Sequence, residues 1–326
     1  MSGATSWSHV DSPALLLALA LAWDATLGEV PGRVHPVVWL GALVTWLRKR
    51  LHRTDVDPVG QLIAGLVLVV ISLGLALGAL TLARAGAASL AGPWGQRAVE
   101  LYVLQASFAA RALLEAGERM RVALAAGGAA AGRAELMHLC SRSPEGLDAS
   151  ALSGAALESL AENASDSVTA PLFWFALGGL EALVAYRVLN TLDAMVGYRG
   201  RYEHFGKVAA RLDDLLNLVP ARLTAGLLLI AGALQGRDWR RGVRVLRADG
   251  RRTASPNAGW PMAAAAGVLG VRLVKAESYV LGAGLPAPAP RDLRRGLSLV
   301  RLTMALTAAL ALAMVLTLAR VRAVLG

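Results

Sequence analysis

Residues Pro58 to Ala83 read PVGQLIAGLVLVVISLGLALGALTLA and contain no charged side chain. A helix that crosses a membrane needs about 20 apolar residues, because its backbone polar groups must be satisfied internally across about 30 Å of hydrocarbon. This run is long enough, and so is the run from Leu302 to Ala319, which ends at Arg320. Both runs predict membrane-spanning helices.

Three further apolar runs are shorter: Ser12 to Trp23, Ser167 to Leu180 and Leu223 to Gly236. Each is either a span with a polar residue or a re-entrant segment that packs inside the protein. The run from Ser167 has 14 residues, which is about 21 Å as a helix and too short to cross. Because Gly178 and Gly179 offer a place to turn, we predict that the segment 168–186 enters and returns, or packs inside the bundle.

The composition of the whole chain points to the same class. Of 326 residues, 56% are apolar and 17% are charged, and the mean hydropathy is +0.51. These proportions exclude a disordered chain and argue against a water-soluble globule. We predict an all-α, polytopic helical membrane protein with amphipathic and re-entrant helices, as a single membrane-embedded domain over residues 1–326. Gly74 and Gly78 form a GxxxG motif, which favours close packing within the bundle over a homodimer seam.

The formal charge of +10 does not indicate nucleic-acid binding. Arginine supplies 30 of the 33 basic residues, and these arginines recur in short groups beside the apolar runs. Such groups place their charges near lipid phosphate. The two densest groups lie within 48–53 and 237–252, and they fall on opposite membrane faces if all five runs cross. We therefore expect at least one of the weaker runs not to cross.

Two polar stretches, 84–166 and 237–295, separate the hydrophobic helices. The first predicts an amphipathic helix with an i,i+4 pair of Arg111 and Glu115, followed by a loop over 141–148. The second contains five prolines, so we predict mostly loop with short helices, and no strand alternation is persuasive.

Several chemistries find no support in the sequence. The single cysteine, Cys140, cannot form an intrachain disulfide and fits a small buried residue. No zinc-ligand cluster, phosphate-binding P-loop, G-x-S-x-G, HExxH or GxGxxG motif is present. Any nucleotide must therefore be held in another way.

The most informative polar segment reads ESLAENASD from Glu158 to Asp166. Glu158, Glu162 and Asp166 are spaced i, i+4, i+8, so on one helix they drift by only about 80° and form an acidic stripe. Like charges at this spacing destabilise a helix, so the stripe favours a bound cation or a basic partner. The alternative interpretation is a solvated helix face.

A second polar segment runs from Asn190 to Arg222 and includes Asp193, Asp213 and Asp214. Carboxylate and amide oxygens are ligands that Mg²⁺ accepts, with water and phosphate filling the remaining positions. Lys207, Arg211 and Arg222 are the basic side chains that would hold phosphate oxygens beside such an ion. The alternative is a cluster of neutralising ion pairs next to the membrane.

Two smaller motifs complete the set. His35 and Pro36 form a stiff turn after the first apolar run, where a lone histidine is more often structural than catalytic. Residues 255–261 read SPNAGWP, a rigid polar turn in which Asn257 and Trp260 either contact a ligand or form a capped loop.

Taken in order, these residues resemble the integral-membrane adenosylcobinamide-phosphate synthase family of cobalamin biosynthesis. The resemblance rests on the stretches ESLAENASD, NTLD at 190–193, ARLDD at 210–214, PAR at 220–222 and SPNAGWP, and it covers nearly the whole chain. The chain departs from the family at Glu29, where aspartate is common. It also departs at 141–144, where Ser-Arg-Ser-Pro replaces a Gly-Arg-Asp type of sequence and leaves the role of Arg142 open.

The resemblance implies an ATP-dependent amide ligation of adenosylcobyric acid with 1-aminopropan-2-ol phosphate, or a related amino alcohol, to give adenosylcobinamide phosphate. It implies ATP and Mg²⁺ as cofactors and a multi-pass location in the inner membrane. The expected partners are the corrinoid, the amino-alcohol phosphate and the lipid bilayer, without nucleic acid; a homo-oligomer or association with other cobalamin-pathway enzymes stays open.

The resemblance also implies roles for individual residues. The catalytic candidates are Glu158, Glu162, Asp166 and Asp193; the metal candidates are Asp166, Asp193, Asp213 and Asp214; the cofactor-binding candidates are Asn163, Asn190, Lys207, Arg211 and Arg222; and the substrate-binding candidates are His35, Tyr198, His204, Asn257 and Trp260. We expect Glu162, Asp166, Asn190, Asp193 and Asp214 to converge in one polar cleft. A transporter and a non-catalytic regulatory relative are the alternative functions.

Overall fold

The computed structural model describes residues 12–140, 142–198 and 200–325. These residues form eleven α-helices, a short 3₁₀ helix, a π-helix and one antiparallel hairpin. In chain order they are α1 (Pro13–Thr26), the 3₁₀ helix (Gly32–Val34), α2 (Pro36–Leu51), α3 (Pro58–Gln105), α4 (Ala110–Leu136), α5 (Ala149–Ala164), the π-helix (Ser165–Thr169), α6 (Ala170–Val196), α7 (Lys207–Leu216), α8 (Leu218–Leu234), α9 (Trp239–Asp249), α10 (Gly259–Leu269), β1 (Leu273–Lys275), β2 (Tyr279–Leu281) and α11 (Pro290–Leu325).

The chain divides into two compact units, each built from more than one segment. Unit 1 comprises Met1–Phe108, Pro171–Asp213 and Ala309–Gly326, and unit 2 comprises Ala109–Ala170 and Asp214–Ala308. The chain therefore passes between the units several times. That they form the single domain expected from the sequence stays a prediction.

The helices have the lengths and compositions of a membrane protein. Three helical stretches of the described chain are long and apolar enough to cross a membrane: Pro58–Leu136, Ala149–Val196 and Pro290–Val321. The pair α7 and α8, bent by 46°, gives a fourth if it acts as one span. Together with the near absence of strands from the described residues, these stretches confirm the predicted all-α membrane class.

Three of the long helices are each broken by one glycine. The glycines have φ of 62°, 61° and 70° with ψ near −150°, a region essentially restricted to glycine; they are Gly92 in α3, Gly128 in α4 and Gly179 in α6. In α3 the chain doubles back, because Arg84 and Glu100 form an ion pair of 2.6 Å, whereas about 24 Å would separate them along a straight helix. Arg119 and Glu135 pair in the same way, at 3.5 Å across the break in α4.

The break in α6 lies where the sequence predicts a turn. A Cβ atom on Gly178 would stand 2.6 Å from the Cβ of Ala182, and Gly127 and Ala131 make the equivalent close approach of 2.7 Å in α4. The two breaks therefore share one turn geometry. That the segment 168–186 enters and returns, or packs inside the bundle, stays a prediction.

The stretch 237–295 contains more regular structure than expected. The prediction of mostly loop is wrong, because α9, α10 and the hairpin occupy much of the stretch. α10 packs against α8, α9 and α5, and nearly all its residues are buried. Its proline, Pro261, lies in the first turn, where the missing N–H removes no hydrogen bond within the helix.

Two other expectations have clear outcomes. The i,i+4 pair in α4 is confirmed, since Arg111 Nε lies 2.6 Å from Glu115 Oε1. The preference for intrabundle packing at Gly74 and Gly78 is wrong, because no atom of the described residues lies within 4 Å of a Cβ placed on either glycine. A homodimer seam at this motif stays untested.

Candidate active site

α5 carries the first two residues of the acidic segment. Asp148 caps the start of this helix by accepting a hydrogen bond from the Ala151 N–H at 2.7 Å. Glu158 is buried, with 3% of its surface exposed, and Glu162 is partly buried. The interpretation as a solvated helix face therefore fails for Glu158.

Asp166 lies in the π-helix that follows α5. A π-turn is wider than an α-turn because its backbone hydrogen bonds join residues i and i+5, and here the Ala170 N–H donates to Ser165 O, five residues back. Asp166 therefore follows the regular α-helix that holds Glu158 and Glu162, and it remains partly exposed. That the three acids form one stripe stays a prediction. Such π-turns inside long helices occur frequently at functional sites.

Glu158 is held by an arginine from the loop before α5. Arg142 donates from Nη2 to Glu158 Oε2, and its Nη1 lies 3.5 Å from Val274 O. The other oxygen, Glu158 Oε1, is buried. The Arg142 side chain keeps 21% of its surface exposed. A buried carboxylate is thus paired with a guanidinium that is partly open.

The hairpin brings two more side chains to this carboxylate. Lys275 pairs with Tyr279, and Leu273 with Leu281, so alternation places Lys275 and Tyr279 on the same face as the two buried leucines. β1 packs against α5, and both Tyr279 and Lys275 lie within electrostatic reach of Glu158. Burial, with this carboxylate nearby, raises the pKa of Tyr279, so its hydroxyl stays protonated at neutral pH.

Asn163 is engaged within its own helical segment. Its Nδ2 donates to Ser159 O at 3.0 Å, and its Oδ1 accepts from the Ser167 hydroxyl at 3.2 Å. Its predicted role in cofactor binding stays a prediction. Cys140, four residues after the end of α4, is partly buried, and burial raises the pKa of its thiol.

The SPNAGWP segment closes on the start of α8. Arg222 Nη1 donates to Asn257 Oδ1 at 2.5 Å and to Leu218 O at 2.9 Å, and its Nη2 donates to Pro256 O at 3.2 Å. The guanidinium also lies 4.6 Å from the centre of the Trp260 ring. These contacts favour a capped loop, and ligand binding by Arg222, Asn257 and Trp260 stays a prediction.

The same segment fixes Asp214 at the end of α7. Ser255 Oγ donates to Asp214 Oδ1 at 3.2 Å, and Asn257 Nδ2 donates to Asp214 O at 2.7 Å. Asn257 is buried, with 4% exposed, so its amide bridges α7 and α8. One short segment thus contacts the ends of both helices.

Unit 1 holds the other members of the second polar segment. Asn190 Nδ2 donates to Asp213 Oδ1 at 3.3 Å, and Asn190 Oδ1 accepts from Arg187 Nη1 at 3.3 Å. Asp213 is buried, whereas Asp193 is partly buried. A Cβ on Gly197 would lie 2.7 Å from the backbone oxygen of Asp193, so this position favours glycine. An amide and a carboxylate of the second polar segment are therefore paired at Asn190 and Asp213.

The remaining candidates of unit 1 differ in exposure. Lys207 and Arg211, one turn apart on α7, are exposed, as is Tyr198, and His204 is half-buried. His35 is buried, and its Nδ1 accepts from the Val37 N–H at 3.2 Å as the cap of α2. Burial and the nearby Arg187 lower the pKa of His35, which fits this neutral, structural role.

In the described part of the chain, the predicted magnesium site has few protein ligands within reach of one another. Among the described residues, no group of three or more histidine, cysteine, aspartate or glutamate side chains is placed to hold a metal ion. A magnesium ion would therefore take one or two carboxylates and complete its shell with phosphate and water. The predicted convergence of Glu162, Asp166, Asn190, Asp193 and Asp214 involves residues of both units and stays a prediction.

Comparison with known proteins places the chain in a family. The family described as CobD/Cbib protein matches residues 17–307. The chain belongs to the CobD/Cbib family. This confirms the family resemblance found in the sequence, and no solved structure shows significant similarity to the chain.

Several curated proteins are similar over most of their length. One is the probable cobalamin biosynthesis protein CobD of Methanothermobacter thermautotrophicus, 40% identical over 273 residues, which cover 82% of this chain and 86% of that protein. Another is the cobalamin biosynthesis protein CobD of Brucella suis, 38% identical over 278 residues, which cover 81% and 83%. A third is the probable CobD of Pyrococcus abyssi, 39% identical over 298 residues, which cover 90% and 93%.

In this CobD/Cbib family member, three residues near Glu158 have no role predicted from the sequence. Arg142 precedes Glu158 by 16 residues in a loop, and Lys275 and Tyr279 follow it by more than 110. No local spacing links them, because only the fold of the hairpin onto α5 brings them together. The one signal was Arg142 itself, since it stands where the family resemblance expects an arginine.

Proposed function

We propose that this protein is a membrane enzyme of cobalamin biosynthesis that joins adenosylcobyric acid to 1-aminopropan-2-ol phosphate, or a related amino alcohol, in an ATP-dependent amide ligation. Family membership over residues 17–307 carries the proposal. The names of the relatives support the pathway, and the helices that are long and apolar enough to cross a membrane support a multi-pass location in the inner membrane.

The reaction explains why the candidate site is rich in charge. A carboxylate is a poor acyl donor because its leaving group would be oxide. Transfer of the γ-phosphoryl group of ATP to the propionate of the corrinoid gives an acyl phosphate, and the amine then displaces phosphate to form the amide. Both steps require neutralised phosphoryl charge, close positioning and a base for the ammonium proton.

The acidic segment supplies the candidates for the base and part of the metal shell. Glu162 and Asp166 are partly exposed, so they are better placed than the buried Glu158 to meet a ligand. A bound Mg²⁺ would screen the negative charge of the phosphates, with Asp166 as one ligand and Asp193, Asp213 or Asp214 as another. The exposed Lys207 and Arg211 are the candidates for phosphate contacts.

A direct test is to incubate the purified protein in detergent with adenosylcobyric acid, ATP, Mg²⁺ and a set of amino-alcohol phosphates. We expect one of these amines to give a product with the mass of the corresponding amide, together with ADP and phosphate. Omission of ATP is the control. If no amide forms with any amine while the protein remains folded, the proposal is wrong.

A further inference from the structure

We propose that Arg142 binds the oxygen atoms of a phosphoryl group, and that the buried Glu158 positions it for this task. The inference rests on the proposed function in one respect: the phosphoryl group would belong to ATP or to the amino-alcohol phosphate. The observations that carry it all lie within unit 2.

The first observation is the burial of Glu158. Taking a carboxylate and a guanidinium out of water costs as much as their attraction returns, so a buried pair of this kind adds little to stability. Glu158 is 3% exposed, and Arg142 is its ion-pair partner. The pair is therefore poorly explained as a stabilising contact, and positioning of Arg142 is the role that its geometry supports.

The second observation is the set of donors that Arg142 keeps free. A guanidinium has five N–H donors in a planar fork. Among the described residues, one donor meets Glu158 and a second makes a long contact with Val274 O. The side chain is 21% exposed, so the remaining donors are partly accessible. A guanidinium that is fixed on one side and open on the other suits a bidentate contact with phosphate.

The third observation is a contrast with two other arginines of unit 2. Arg133 donates from Nε and Nη2 to one carbonyl, Leu147 O, at 3.2 and 2.9 Å. Arg222 divides its donors among Asn257 and two carbonyl oxygens. Both tie the chain to itself through neutral acceptors, whereas the main partner of Arg142 is a buried charge.

The charged side chains around Arg142 include a second cation that could attract an anionic ligand. Lys275 is exposed on the hairpin and lies within electrostatic reach of Glu158, and the protonated Tyr279 hydroxyl lies beside the same carboxylate. Glu162 is the acid that faces this cluster one helical turn further along α5. Arg142 and Lys275 thus offset the two glutamates, and a phosphoryl group would meet donors as well as acids.

The test compares the binding of phosphorylated and unphosphorylated ligands by the full chain in detergent, using titration calorimetry. The key variant is the double substitution R142Q/E158Q, because removing both charges leaves no unpaired buried ion. R142K keeps the ion pair but loses the fork, and R133Q is the matched control. The ligands are ATP with Mg²⁺, 1-aminopropan-2-ol phosphate, inorganic pyrophosphate and adenosylcobyric acid, which has no phosphate.

We expect R142Q/E158Q to lose roughly 10- to 100-fold in affinity for one of the two phosphorylated substrates, with R142K intermediate. The substrate that is affected identifies the source of the phosphoryl group. Binding of adenosylcobyric acid should be unchanged in every variant, and R133Q should bind all ligands like the wild type.

The remaining outcomes separate the two proposals. If the double variant binds both phosphorylated substrates like the wild type, or loses affinity equally for all ligands, Arg142 has a structural role and the inference is wrong. If the wild type binds neither substrate but binds pyrophosphate through Arg142, the inference stands and the proposed function fails. If the wild type binds none of these ligands, both proposals fail.

Discussion

The acidic segment 158–166 and the SPNAGWP segment 255–261 are both polar candidates for ligand binding, but their side chains have different kinds of partner. Each is a short polar stretch beside an apolar helix, and each was a candidate to contact ligand. In the SPNAGWP segment, the amide of Asn257 joins Arg222 to the end of α7. In the acidic segment, Glu158 is buried against Arg142, and Glu162 and Asp166 remain partly exposed.

This difference in partners distinguishes a segment that stabilises the fold from a segment that can bind and react with a ligand. Acceptors that meet an arginine on several sides hold a fold together and leave it few N–H donors for a ligand. A carboxylate paired with an open arginine, next to further acids and a π-turn, retains groups that can bind and react. We therefore assign the SPNAGWP segment to stability alone, and the groups that bind and react to the acidic segment.

The largest effect on stability is expected from the substitution that leaves a buried charge alone. R142Q removes the partner of Glu158, which should cost about 3–5 kcal/mol of unfolding free energy. Adding E158Q should recover most of this loss, because no ion then remains buried. Thermal unfolding in detergent measures both variants. A single variant as stable as the double variant would show that Glu158 is not paired as described.

Asn257→Ala should cause the next largest loss of unfolding free energy. The substitution leaves the Arg222 guanidinium and Asp214 O without their amide partner, and buried polar groups without partners cost about 1–3 kcal/mol each. The exposed Arg211→Gln is the control, expected within about 0.5 kcal/mol of wild type. Equal melting temperatures for the two variants would contradict a scaffold role for the SPNAGWP segment.

Tyr279→Phe should cause the smallest change in stability, and the change should be seen at high pH. Because its pKa is raised in the folded protein, its contribution to stability is complete below the unfolded pKa near 10 and is lost as the pH rises above that value. Stability should therefore fall more steeply between pH 9.5 and 11 in wild type than in Tyr279→Phe. Parallel curves would show that Tyr279 is not buried beside Glu158.

The sequence predicts the parts of this fold that depend on composition and local spacing. The runs from Pro58 and Leu302 lie in stretches able to cross a membrane, and the turn at Gly178 and Gly179 lies where expected. These features follow from apolar length and from the backbone freedom of glycine, which are properties of the residues themselves.

The missed features depend on contacts between distant segments. β1 and β2 have only three residues each, too few for an alternating pattern to be recognised. The π-turn at Asp166 inserts a wider turn into an apparently regular helix, and no residue type marks it in advance. Arg142 reaches Glu158 only because the loop folds over α5. Packing decides each of these features, so local spacing could not show them.

The most direct test of the division between scaffold and chemistry is amide formation by Asp166→Asn and Asn257→Ala, each normalised to the amount of folded protein. At a temperature where both variants are folded, we predict that Asp166→Asn lowers turnover by about 100-fold or more, as expected for loss of a metal ligand or base, with little change in melting temperature. Asn257→Ala should retain turnover within a few-fold of wild type, because the substitution lowers the stability of the fold and removes no reacting group. Turnover that is unchanged in Asp166→Asn and abolished in folded Asn257→Ala would contradict the account.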